Sequence, residues 1–207
     1  RPDGSFYPLP LLRQKILSKR IDRSELLAEL VAQYDRFCEL AGPPDFWNTH
    51  ENVHIWPFLF QFMTRVGVEL QIPAMRNNSR ILVSKRKKPI THNLRHPNYW
   101  VKGFIIAFWS ARVRQHGVRM PDGLLHLDGY GIGRASLERA LSHFPSSVDG
   151  KTVECVIHPA ISIESRLFGK LTQSRREEYE VFSDAALAKR LASFGVKTAS
   201  FYDLEKL

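Results

Sequence analysis

Apolar residues recur at helical spacing along much of this chain. Leu26, Leu27, Leu30, Val31, Tyr34, Phe37 and Cys38 make one stripe. Asp22 stands just before it with Glu25 three residues on, the order of a capping box, and Gly42-Pro43-Pro44 ends it. A shorter helix is predicted over Leu11 to Lys19, after an opening loop with a turn at Asp3-Gly4. Pro57 suits the first turn of a helix running to about Val66, with Gly67 closing it. Helical patterns follow at Tyr99–Gln115, Ala135–Phe144, Arg176–Val181 and Asp184–Phe194, with Trp100, Phe104, Phe108 and Trp109 expected in the core. Strands are predicted at Phe46–Thr49, Val68–Ile72, Val118–Arg119, Thr152–Ile157 and Lys197–Phe201. Strands alternating with helices predict an α/β fold with a mainly parallel sheet. About five strands are few for a closed barrel but enough for most of one.

Composition narrows the class. The 207 residues suit one domain, 1–207, and 43% hydrophobic with 25% charged residues excludes a disordered chain. The longest apolar run, Gly103 to Trp109, is far short of the roughly 20 residues a bilayer span needs, so no transmembrane segment is expected. Nothing near Arg1 reads as a signal peptide, and a start at arginine leads us to expect an upstream piece. Cys38 and Cys155 sit in apolar surroundings without zinc-site spacing, which predicts buried free thiols and a cytoplasmic location.

The charge of +9 is concentrated. Arg80, Lys85, Arg86, Lys87, Lys88 and Arg95 all fall within 74–97, read as a long basic loop insertion that is either functional or a solvated excursion. Residues 80–95 give one alternative function, a non-catalytic protein binding an anionic partner. No nucleic-acid motif or interleaved aromatics accompany them, so no nucleic acid is expected. The glycines of Asp128–Gly133 do not follow a convincing hydrophobic strand, which argues against a dinucleotide fingerprint.

Chemistry concentrates in Asp45–Pro57, where an aromatic run leads into His50, Asn52 and His54. His50 is the first candidate metal ligand, and an ordinary loop histidine is the competing account. His158-Pro159 ends the most convincing strand, a place suited to catalysis or to a structural histidine. Trp56 and Tyr130 are open between sugar contact and packing.

These motifs suggest a family. Asn48 to His54, after the helix Leu26–Leu40, resembles the Asp-Ser-His-x-His-Val-His signature of the YdjC-like carbohydrate deacetylases, which include chitooligosaccharide deacetylases and hopanoid-associated relatives. Gly67–Ile72 resembles that family's next strand, Glu154–Ala160 its strand ending in His-Pro-Gly or His-Pro-Ala, and Gly195–Leu204 its closing segment. The resemblance implies a TIM-barrel-like fold. It also implies removal of an acetyl group from an N-acetylated carbohydrate or glycolipid with one divalent metal ion. Magnesium is the family expectation, and zinc would suit a histidine-rich site. Carried over by position, His50 is a metal ligand, His158 the catalytic general acid or a site-forming histidine, and Asn52 and His54 line the pocket as substrate-binding residues.

Two departures matter. Asn48 stands where the signature has aspartate, and Asn52 where it often has histidine. The family's Asp-Asp-Phe-Gly and Gly-x-His motifs, which supply the catalytic carboxylate and two further metal ligands, do not occur. The chain therefore looks like the carboxyl-terminal two-thirds of a deacetylase barrel without its first βα units. Since a stable site needs about three protein ligands, the chain as written is expected to be inactive alone. An open sheet edge predicts self-association, and the missing ligands keep a pseudoenzyme reading open.

Overall fold

The computed structural model describes residues 6–82, 97–126, 149–161 and 172–205. Its contacts group into two compact units, residues 1–75 with 112–118, and residues 76–111 with 119–207.

The first unit is helical. α1 (Leu9–Leu17) begins two residues before its predicted start, because a proline without an N–H is tolerated in a first turn. α2 (Arg23–Ala41) is capped as its sequence predicts. The Asp22 carboxylate accepts the N–H groups of Ser24 at 2.7 Å and Glu25 at 3.4 Å. The Ser24 hydroxyl, which also donates to this carboxylate, and then these two N–H groups hold the Asp22 carboxyl below the usual carboxylate range. Gly42, at φ +81°, ends the helix.

α3 spans Pro57–Glu69 and runs straight through Gly67. The predicted stop there is wrong, and its physical reason is visible. A Cβ on Gly67 would lie 2.8 Å from Trp47 Nε1, so the glycine permits a close approach and does not end the helix. The predicted strand Val68–Ile72 is consequently absent. Val68 and Glu69 complete α3, and Gln71 turns the chain at φ +56°. The predicted strand Phe46–Thr49 shrinks to one parallel pair, Trp47 with Met75, where the Trp47 N–H donates to the Ala74 carbonyl at 3.1 Å.

Ile16, Leu59 and Met63 are the buried centre of this unit, with Leu12, Leu26, Leu30, Trp47, Val53 and Trp56 packed around them. Each fully buried side chain of this size contributes about 1.5–3 kcal/mol. The α2 stripe is only partly used, since Phe37 is exposed.

Among the described residues the second unit carries a sheet of three parallel strands, β1 (Arg80–Leu82), β2 (Gly123–His126) and β3 (Val153–Glu154), in that order. Arg80 pairs with Leu124, and Gly123 with Val153. Parallel neighbours need long crossovers, which agrees with the α/β expectation. The details differ. β1 lies inside the stretch read as a basic loop, where Asn77 and Asn78 are buried. Of the predicted strand Thr152–Ile157, only Val153 and Glu154 join the sheet.

α4 (Pro97–Gln115) matches its pattern, but Phe104 is 75% exposed and Phe108 is also exposed, while Ile106 and Ser110 are buried. The expectation that both phenylalanines pack in the core is therefore corrected. An apolar run longer than one helical face cannot bury every member. α5 (Thr172–Phe182) is longer than predicted and α6 (Leu187–Ser193) shorter. The predicted last strand is absent. Residues 196–200 are irregular and Phe201–Glu205 form a 3₁₀ turn, with the Asp203 carboxylate accepting the N–H and hydroxyl of Ser200. No helix among the described residues is long and apolar enough to cross a membrane. The predicted helix Ala135–Phe144, the glycine loop with Tyr130, and Lys85 to Arg95 lie outside the described residues.

Candidate functional site

In the first unit the chain leaves the Trp47–Met75 pair and winds into a 3₁₀ turn, His50–Ile55, directly before α3. Thr49 organises this turn. Its Oγ1 accepts the His54 N–H at 3.0 Å and lies 2.7 Å from His54 Nδ1, while its carbonyl accepts the Asn52 N–H at 3.0 Å. The His54 ring is fully buried, 6.4 Å from the Trp47 ring centroid. One hydroxyl thus satisfies both the backbone and one ring nitrogen of a sealed histidine, as burial of polar groups requires.

Asn52 adopts φ +54°, a left-handed conformation that asparagine tolerates better than most residues. Its Oδ1 is buried, with no hydrogen-bond partner among the described residues. His50, at the head of the turn, is exposed. The turn therefore brings His50, Asn52 and His54 together in one short segment, with different surroundings for each. Trp56 packs on the core and carries the Arg13 guanidinium 5.9 Å from its ring centroid, an arrangement that fits packing.

His158 belongs to the second unit. The sheet pairing of its strand ends at Glu154, so the following backbone finds partners on α5. The His158 N–H donates to the carboxylate of buried Glu178, and its carbonyl accepts from Arg175 Nη1 at 3.3 Å. The imidazole itself is exposed. Arg76 donates from Nε at 2.8 Å and Nη2 at 2.5 Å to Oε1 of Glu154. Asn77 ties the sheet start to its neighbours, donating to the carbonyls of Pro121 and Asp122 and accepting from Ser79 N–H and the Ser110 hydroxyl.

The two cysteines are free, but they are not both buried as expected. Cys38 is half-buried, and Cys155 is exposed. Packed surroundings, with the Glu178 and Glu154 carboxylates nearby, still push the Cys155 thiol up to about 12.

A metal site asks more than these residues supply. No three His, Cys, Asp or Glu side chains among the described residues converge to hold an ion. His50 is a single exposed imidazole, and His54 has Nδ1 engaged by Thr49. These donors alone do not fit a complete metal centre.

Several residues escaped the sequence reading. Thr49 carried no clear signal, since its hydroxyl makes no capping bond and instead serves His54, five residues on. Glu178, Arg175, Arg76 and Asn77 carried none, because their partners are distant in sequence.

Comparison with known proteins agrees with the motifs. A carbohydrate deacetylase of Xenopus laevis is 24% identical over 97% of this chain and 72% of its own length. A chitooligosaccharide deacetylase of Proteus mirabilis is 23% identical over 95% of this chain and 72% of its length. A solved structure from Enterococcus faecalis V583, named for cellobiose-phosphate cleavage, superimposes with a TM-score of 0.65 at 20% identity, covering 99% of this chain and 67% of the other. That likeness concerns the fold. The family model described as YdjC-like protein matches residues 1–193, and the chain belongs to that family.

Proposed function

We propose that the protein is a hydrolase that removes the N-acetyl group from an amino-sugar-containing carbohydrate or glycolipid, on a sheet that is part of a TIM-barrel-like fold. The observation that carries this reading is the exposed His158 imidazole on a main chain held at both its N–H and its carbonyl. Water adds to the amide carbonyl carbon, the C–N bond breaks, acetate leaves, and His158 protonates the departing amine. His158 regains its proton from the water consumed.

Asn52 is assigned to substrate binding, whereas His54, fully buried with Nδ1 engaged by Thr49, holds the turn and does not itself reach a substrate. His50 is assigned as one ligand of a divalent metal, magnesium or zinc, whose other ligands come from outside the described residues. We place the protein in the cytoplasm on the strength of its free thiols.

The test uses the full natural polypeptide that carries this chain, incubated with N-acetylglucosamine oligomers and magnesium or zinc. Acetate release is expected, and His158→Ala should slow it by about a hundredfold or more. No acetate from any oligomer with either metal would overturn the reading.

A further inference from the structure

We propose that Glu178 and Arg175, one turn apart on α5, are positioning residues that aim His158 by gripping its main chain. This rests on the reading of His158 as proton donor. Beyond Glu154 the strand has no ladder partner among the described residues, so the backbone polar groups that follow need other partners. One helix supplies three. Glu178 accepts the His158 N–H, Arg175 Nη1 donates to the His158 carbonyl, and the Arg175 carbonyl accepts the Ala160 N–H at 3.1 Å. With Pro159 between the two held residues, φ there is locked as well.

Two of the three bonds are charge-assisted, which makes them stronger than ordinary amide bonds. Glu178 is only 4% exposed, and a carboxylate so buried must be well bonded. Its bond to His158 spans 20 residues, so it joins α5 to the end of the strand and does nothing for α5 itself. What remains free is the imidazole, which can turn only about its two side-chain torsions from a fixed Cα. Such fixing matters because a misplacement of about 1 Å can cost about a hundredfold in rate.

The experiment compares the full polypeptide with Glu178→Ala, Glu178→Gln, His158→Ala and the Glu178→Ala/His158→Ala double variant. Amide hydrogen exchange at His158 and kcat and KM for acetate release are measured on each. Glu178→Ala should speed His158 exchange at least tenfold and lower kcat about tenfold with KM unchanged. Glu178→Gln keeps a carbonyl acceptor and should preserve both. The double variant should be no slower than His158→Ala alone. Unchanged His158 exchange in Glu178→Ala, or losses that multiply in the double variant, would overturn the positioning role. Should His158→Ala retain full activity, the proton-donor assignment falls, and exchange still decides separately whether α5 grips this main chain.

Discussion

Gly67→Ala sets two known effects against each other within α3. In a helix interior the change should help, because alanine is favoured over glycine by about 1 kcal/mol. Here the new methyl carbon would meet Trp47, at 2.8 Å from Nε1, 3.1 Å from Cε2 and 3.2 Å from Cζ2. Comfortable contact between such atoms begins near 3.5 Å, so the ring must retreat by about 0.7 Å. It has little room. The Trp47 N–H is held by the Ala74 carbonyl, and the indole packs against the Ile16, Leu59 and Met63 core. Overpacking of this kind costs about 1–3 kcal/mol. Taking about 2 kcal/mol for strain and about 1 for propensity leaves a net destabilisation near 1 kcal/mol. Urea unfolding followed by tryptophan fluorescence would measure it, with an unchanged m-value as the check on comparability. A variant more stable than the parent by about 1 kcal/mol would refute the argument, since that is the outcome for a glycine with open space around it.

Thr49→Val keeps the shape of the side chain but removes the oxygen that serves both His54 Nδ1 and the His54 N–H. Leaving these buried groups unmet should cost about 2 kcal/mol in the same denaturation assay, and a loss below about 0.5 would contradict the assigned role. Cys155, with its thiol pushed up to about 12, stays protonated at neutral pH. Its alkylation by iodoacetamide at pH 8 should run roughly a thousandfold slower than that of an ordinary thiol and rise about tenfold per pH unit towards 12. Modification at the rate of free cysteine would sink that view. Arg76→Met strands the buried Glu154 carboxylate and should cost about 3–5 kcal/mol, whereas adding Glu154→Leu should restore much of the loss. A double variant no better than the single one would show that the pair matters for some other reason.

The elements that were legible in the sequence are those whose causes are local. Asp22 caps α2 through N–H groups two and three residues away, Gly42 ends that helix, and Pro57 opens α3. The two histidine motifs were equally legible, because their residues are close in the chain and their order resembles a known signature. Strands were read less well. Arg80–Leu82 sits among polar and basic residues and becomes β1 only because Leu124–His126 lies alongside it. Conversely, the β-branched run after Glu154 leaves the sheet, since backbone pairing depends on a neighbour and not on propensity alone. Gly67 was misread as a stop because its reason, the indole of Trp47, is 20 positions upstream.

By itself, then, the sequence determined the helix boundaries set by caps, the family, and which histidines stand in its signature motifs. Tertiary structure decided what surrounds each of them. It sealed His54 against Thr49 and Trp47, left the His50 and His158 rings exposed, and tied the His158 main chain to α5. The division follows from range. A cap or a proline acts within one turn of chain, whereas burial and long-range hydrogen bonds exist only once distant segments meet.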